Sequence, residues 1–231
     1  MNGLDAVLSI RDIYLKEKVL LNKLMNYYFW DNRLLRYIVS QDVRFILHLN
    51  SGVNDGCDTM MIKNRFPNSF IFAVEGDIKK YQSLVEYVKH DDNIITCNDI
   101  LIDTDYNFYI TLDTFFKRLS IPSIDILYVS YDNNIYDIFK GANNTFKSIK
   151  YIITIQKPYY TQDEVSRNEI LYKHNFKELV RLRDEKKNID TVLFKNMSYN
   201  DGPQTCPYIM KDDLTTSMSN MNIYDYISKK K

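Results

Sequence analysis

The sequence has no excess charge of either sign, since 30 Lys and Arg balance 30 Asp and Glu. Without net charge there is no global field to draw the chain onto nucleic acid or an anionic membrane, and only local patches remain for such contacts. Cysteine is scarce: Cys57, Cys97 and Cys206 are the three thiols. Their odd number and lack of ligand-like spacing argue against a disulfide framework and suit a reducing cytosol. No stretch approaches the roughly 20 apolar residues of a membrane span. The N-terminus mixes acids and bases without the apolar run of a secretion signal. A cytoplasmic location is therefore expected, with no membrane contact, and the glycosylation-type triplets at Asn143 and Asn196 carry no weight. No grouping of His, Cys and Asp has metal-ligand spacing, so no metal is predicted. No internal repeat is present.

What the chain does have is enough length, 231 residues, to bury one good core with extensions at both ends. Residues 1–42 read as a helical extension, with Leu20, Leu24 and Tyr28 on one face. This run, rich in Tyr and Phe, is a candidate lid over a ligand cleft. Residues 43–196 read as an α/β domain, and 197–231 as a polar tail ending in Lys229-Lys230-Lys231.

The domain opens on Phe45–Gly56, a short apolar strand running into a glycine-punctuated turn, before a helix from about Cys57 to Phe66. Such a junction presents backbone N–H groups at a helix N-terminus beside the carboxyl end of a strand, where α/β folds bind nucleotides. Gly52 and Gly56 are expected to take backbone angles closed to other residues and to let a ligand approach the main chain. Their Gly-x-x-x-Gly spacing departs from the Gly-x-Gly-x-x-Gly of dinucleotide sites, which disfavours nicotinamide and flavin cofactors. A second apolar strand, Ser69–Val74, ends in Glu75-Gly76-Asp77. An acid about 20 residues beyond the glycine turn is placed to bind both hydroxyls of a ribose, for which a carboxylate offers two acceptor oxygens. Asp77 alternatively caps a helix over Ile78–Lys89. A third strand, Asn93–Cys97, exits at Asn98 and Asp99, near an adenine if one is bound; Asn98 has an equally good use in the turn. Residues 100–110 read as a polar connection.

Further along come Thr111-Leu112-Asp113, the strand and exit Ile124–Asp132, Lys140-Gly141-Ala142, and the strand Tyr151–Ile155. Together they make a βαβ unit. Here the sequence resembles the FkbM-type methyltransferases, a Rossmann-like branch of the S-adenosylmethionine (SAM)-dependent enzymes. Gly52, Asn54 and Gly56 match that family's loop, with Asp55 a common variant. Glu75 matches its second-strand acid, and Thr111-Leu112-Asp113 and Lys140-Gly141-Ala142 match directly. Five positions depart from the pattern: Asn50 and Ser130 replace aspartates, Asp132-Asn133 replaces Glu-Gly, and Gly76 replaces a proline. Two strands at Phe176–Leu182 and Ile189–Asn196, joined by a charged turn, give a closing antiparallel hairpin of the kind such methyltransferases have.

The resemblance implies a class I methyltransferase fold: a mainly parallel sheet with helices on both faces and a C-terminal antiparallel hairpin. It implies SAM as cofactor. Asn50, Gly52, Asn54, Asp55 and Gly56 would face its amino-acid portion, Glu75 its ribose, and Asn98 or Asp99 its adenine. Asn50 keeps an acceptor but removes a charge beside a cationic cofactor, which weakens binding. Asp132 is the candidate base, with a helix cap as its alternative, and Ser130 lies beside it at the strand end, unable to act as a base unaided. His48 is expected in the core, and His90 and His174 at element boundaries. The activity implied is O-methylation of a hydroxyl on a sugar, glycan or other small metabolite. The alternatives are a non-catalytic scaffold, motivated by Asn50, Ser130 and Asn133, and an RNA cap or ribose methyltransferase. Nucleic acid is not expected as a partner, given the neutral charge and no evident basic stripe; homo-oligomerisation is left open.

Overall fold

A computed structural model of the chain describes residues 34–39, 42–105, 109–120, 123–130, 135–156, 162–185 and 188–199. The backbone divides into two compact units, Met1–Ile38 and Val39–Lys231. The expected lid and helical extension lie almost wholly outside the described residues, as does the tail beyond Tyr199. Among the described residues no helix is long and apolar enough to cross a membrane.

The second unit is built on strands β1 (Phe45–Leu49), β2 (Phe70–Val74), β3 (Ile94–Cys97), β4 (Ile100–Leu101), β5 (Tyr109–Ile110), β6 (Ile124–Val129), β7 (Ile149–Gln156), β8 (Phe176–Asp184) and β9 (Ile189–Asn196). Seven of them form one sheet in the order β3-β2-β1-β6-β7-β9-β8. β1 lies in the interior, parallel to β2 on one side and to β6 on the other. β3 and β7 extend the parallel block, and β9 then pairs antiparallel with both β7 and β8. This is the mainly parallel sheet with a closing hairpin that the motifs predict. Near-continuous apolar runs in β1, β2 and β6 follow from burial on both faces, as parallel strands require.

Among the described residues five helices cover the sheet: α1 (Cys57–Arg65), α2 (Ile78–Val88), α3 (Leu112–Leu119), α4 (Ile135–Lys140) and α5 (Gln162–Lys173). Strand side chains alternate between faces, and the two halves of the core follow that alternation. Leu47, Leu49, Phe72, Val74, Leu127, Val129 and Ile152 pack with Phe115, Phe116, Phe139 and Leu171 from α3, α4 and α5. Ala73, on the other face, packs with Tyr81, Leu84 and Val88 of α2. Truncating one such buried Leu to Ala costs about 2–5 kcal/mol.

The two family-like motifs grip one another. Thr111 caps α3, its hydroxyl accepting from Thr114 N–H at 3.1 Å. Asp113 N–H donates to the Gly141 carbonyl at 3.0 Å. The Asp113 carboxylate in turn accepts from the amides of Asn144 at 3.0 Å and Thr145 at 2.8 Å and from the Thr145 hydroxyl at 2.7 Å. Burial alone would raise the Asp113 pKa, but hydrogen bonds from Thr145 and Asn144 outweigh it and hold the carboxyl below the usual range. Gly141 is needed because a Cβ there would stand 2.6 Å from the Ile102 carbonyl oxygen. The Thr-Leu-Asp and Lys-Gly-Ala signatures therefore do architectural work, joining α3 to the turn after α4.

Residues 100–110 are more than a polar connection. β4 and β5 pair in parallel as a small second sheet, continued by Ile102 N–H donating to the Ile110 carbonyl at 3.0 Å. Leu101 and Ile110 bury themselves in the main core, which is what a wholly polar loop could not do. β8 also runs two residues beyond the expected end, to Asp184.

Candidate functional site

At the carboxyl end of β1 the chain turns sharply. Asn50 and Asp55 sit at φ 56° and Gly56 at φ 84°, left-handed angles that favour Asn, Asp and Gly. A 3-10 turn, Val53–Gly56, then feeds α1. Gly56 takes the expected angle, and a Cβ there would also come within 2.9 Å of Leu84 Cδ1. Gly52 does not: its φ is ordinary, and its missing side chain serves packing instead. A Cβ at Gly52 would lie 2.7 Å from Lys80 Cβ and 2.8 Å from Glu75 Cγ. The glycine spacing thus lets the loop settle onto α2 and Glu75, and the expected ligand approach at Gly52 is filled by protein.

Glu75 is only 5% exposed. Its Oε2 accepts from Gly52 N–H and its Oε1 from Asp77 N–H, both at 2.9 Å. One amide comes from the glycine loop and the other from the β2 exit, so the carboxylate pins the two together. Each oxygen keeps a second lone pair for a ligand. Asp77 is the N-cap of α2, accepting from Lys79 and Lys80 N–H at 2.9 and 3.0 Å. Hydrogen bonding from the Lys80 amide leads in holding its carboxyl below the usual range.

Asn98 serves the turn: its Nδ2 donates to the Glu75 carbonyl at 2.7 Å and, more weakly, to Gly76 at 3.3 Å. Asp99 is different. Its Oδ2 is buried with no hydrogen-bond partner among the described residues, and burial pushes its pKa up, opposed by the Arg118 charge. A buried acceptor without a donor costs about 1–3 kcal/mol, which a ligand N–H aimed at it would recover.

These groups meet at a cleft of about 550 Å³ at the carboxyl ends of β1 and β2, lined by Asn50, Val53, Glu75, Gly76, Asp77, Ile78, Lys80, Asp99, Ile100 and four apolar neighbours. Of the residues singled out in the sequence, Asn50, Glu75 and Asp99 line it, and Gly52 stands behind Glu75. Asp55 is exposed, and the Asn54 side chain lies outside the described residues. Ile78, Ile100 and Lys80 were not foreseen. Ile78 and Ile100 are 52% and 38% exposed, unusual for isoleucines immediately after a helix cap and a strand exit. Those two neighbouring positions were the available signal.

Asp132, the candidate base, lies outside the described residues. Ser130 is buried and is absent from the cleft lining; its hydroxyl turns inward to His48 Nε2 at 2.8 Å. Ser130 thus stands behind the cleft, because His48 offers its hydroxyl a buried partner. His48 Nδ1 meets the Thr59 hydroxyl at 2.9 Å, and its ring packs edge-on against Tyr128. Burial pushes the imidazole down to about 3, so it is neutral near pH 7. It is a core histidine satisfied by two hydroxyls.

Comparison with solved structures gives the architecture a name. The methyltransferase domain of METTL16 superposes with a TM-score of 0.54 at 12% identity, over 76% of this chain and 68% of that one. A putative rRNA methylase from Clostridium thermocellum gives 0.53 at 11% identity, over 73% of this chain and 96% of that one. Aeropyrum pernix fibrillarin, solved with natively bound SAM, gives 0.51 at 12% identity, over 66% and 67%. The fold is that of the class I SAM-dependent methyltransferases. At such identities the likeness is one of fold alone. No protein-family model matches the sequence, and no curated protein is detectably similar to it. Within the class I methyltransferase fold, the cleft occupies the carboxyl ends of the first parallel strands, the position α/β sheets reserve for ligands.

Proposed function

We propose that the chain is a SAM-dependent O-methyltransferase, acting on a hydroxyl of a sugar or other small metabolite. The reading rests chiefly on the unpartnered Asp99 Oδ2 beside the doubly anchored Glu75 carboxylate in one cleft. That donor set suits an adenosine. Asp99 would accept from the exocyclic amine, Glu75 from the ribose hydroxyls, and Ile78 and Ile100 would flank the base. The bound cofactor supplies a methyl group already activated by a sulfonium. What the chain must add is alignment of the acceptor oxygen and a route for its proton. We assign the proton to Asp132; the Ser130 hydroxyl is turned to His48. Asn50 makes the cofactor site less acidic than an aspartate would, so modest affinity is expected. The acceptor class follows the FkbM resemblance of the motifs.

One observation favours the scaffold alternative. Ser130 presents no polar group to the cleft, where the resemblance leads one to expect an acid. Radiolabelled methyl transfer from SAM to a panel of glycans, small hydroxylated metabolites and capped RNA separates the two. Label on a sugar or metabolite hydroxyl supports the proposal, and label on none of them supports the scaffold.

A further inference from the structure

The ribbon of β4 and β5 stands apart from the main sheet, yet it is firmly anchored. Ile102 N–H donates to the Ile110 carbonyl at 3.0 Å and extends the pairing. Asp105, between the two strands, accepts from Thr111 N–H at 2.6 Å and from the Thr114 hydroxyl at 2.7 Å, which ties the connection to the start of α3. The Ile102 carbonyl lies against Gly141, where a Cβ would stand 2.6 Å away. A ribbon of two-residue strands fixed in this way is suited to hold particular side chains in place.

The register shows which ones. Ile100 pairs with Tyr109 and Leu101 with Ile110. Leu101 and Ile110 are buried in the main core. Successive side chains of a strand point to opposite faces and paired residues share one, so Ile100 and Tyr109 stand together on the outward face, on backbones about 4.8 Å apart. They are 38% and 39% exposed. Ile100 lines the cleft and is fitted to the β2 exit, since a Cβ on Gly76 would stand 2.6 Å from its Cγ1. Tyr109 is therefore one strand outward from a cleft-lining side chain, on the same face. Ile78, also exposed, lines the same cleft from the start of α2.

We propose that Tyr109 is a specificity-determining residue of this cleft: its ring continues the wall that Ile100 begins and stacks on the purine of the bound adenosyl group, facing Ile78. This assignment rests on the adenosyl reading of the cleft proposed above. One isoleucine covers about one ring of a base, whereas Ile100 and Tyr109 side by side match the two fused rings of a purine. An aromatic ring holds a base through its π-face and needs no hydrogen bond to do so. The wall thus selects a double ring, while Asp99 selects its amine. A protein partner is disfavoured, because three side chains fall far short of the roughly 800 Å² per partner that a stable interface buries.

The test is calorimetry of S-adenosylhomocysteine with the full chain and its Tyr109 variants. Loss of one base–aromatic stack should make Tyr109→Ala bind about tenfold more weakly. Tyr109→Phe keeps the ring and should bind as wild type does. Fluorescence gives a second readout, since Trp30 is the single tryptophan of the sequence. In a Trp30→Phe background, Tyr109→Trp should lose emission when S-adenosylhomocysteine stacks on the indole. Tyr172→Trp in the same background, exposed on α5, should not respond. The proposal is overturned if wild type binds the ligand and Tyr109→Ala binds it equally well, or if Tyr109→Phe is weakened as much as Tyr109→Ala. It is equally overturned if the Tyr109→Trp emission is unmoved at saturating ligand. Each of these results leaves the adenosyl reading standing. Absence of heat with wild type at millimolar ligand overturns that reading and this assignment together.

Discussion

Replacing Glu75 by Ala should weaken the fold and the proposed adenosyl binding together, and the structure sets the scale of the first. Its carboxylate accepts two backbone amides, Gly52 N–H and Asp77 N–H, while 5% exposed. A hydrogen bond to a charged group contributes about 1.5–3 kcal/mol, so losing both should lower stability by about 3 kcal/mol or more. Domains of this kind have about 5–15 kcal/mol in hand, so the variant should still fold. Glu75→Gln keeps one acceptor oxygen and should lose roughly half as much. Urea denaturation of the three proteins, followed by circular dichroism, measures the series. Calorimetry with S-adenosylhomocysteine should in parallel show at least about a tenfold loss of affinity for Glu75→Ala, equivalent to about 1.4 kcal/mol. A stability loss below about 1 kcal/mol would refute the claim that this carboxylate ties the glycine loop to the β2 exit.

Gly141→Ala should cost about 1–3 kcal/mol, since its Cβ would meet backbone oxygen 2.6 Å away; an unchanged melting temperature contradicts the packing argument. His48, held near 3 against an unfolded value of 6.5, binds a proton more readily in the unfolded chain. Its contribution is thus complete above about pH 6.5 and declines as pH falls towards 3, by at most about 1.4 kcal/mol per pH unit. His48→Gln should flatten the dependence of the urea midpoint between pH 4 and 6.5, and a parallel curve for the two proteins would count against it. Asp113 works in the same sense, its folded pKa being depressed. The stability that Asp113→Asn removes should be present above the ordinary carboxylate value near 4 and should vanish as pH falls below it; a difference that persists in acid would contradict this.

Much of the fold is legible in the sequence because burial on both faces writes long apolar runs into β1, β2, β6 and β7. The hairpin is legible because charged residues interrupt two such runs. The β4–β5 ribbon is not, since two-residue strands carry no periodicity, and only the buried Leu101 and Ile110 betray it. At the site, Glu75 and Asp99 are legible from their places at strand exits. The use of Gly52 is not, because a glycine excused from a side chain by a neighbour looks the same as one reserved for a ligand. The inward turn of the Ser130 hydroxyl is not legible for a related reason. Strand alternation places its side chain on the His48 face, but the attraction of a buried imidazole to that hydroxyl exists only once β1 and β6 are paired.

The central claim is that the cleft between the β1 and β2 exits holds an adenosyl cofactor through Asp99 and Glu75. Isothermal calorimetry of wild type and Asp99→Asn with S-adenosylhomocysteine tests it most directly. The account predicts saturable binding to wild type with one site per chain. It predicts at least about tenfold weaker binding to Asp99→Asn, about 1.4 kcal/mol, with the melting temperature of the free variant equal to or above that of wild type. Absence of heat at millimolar ligand, or equal affinity in the two proteins, would contradict it.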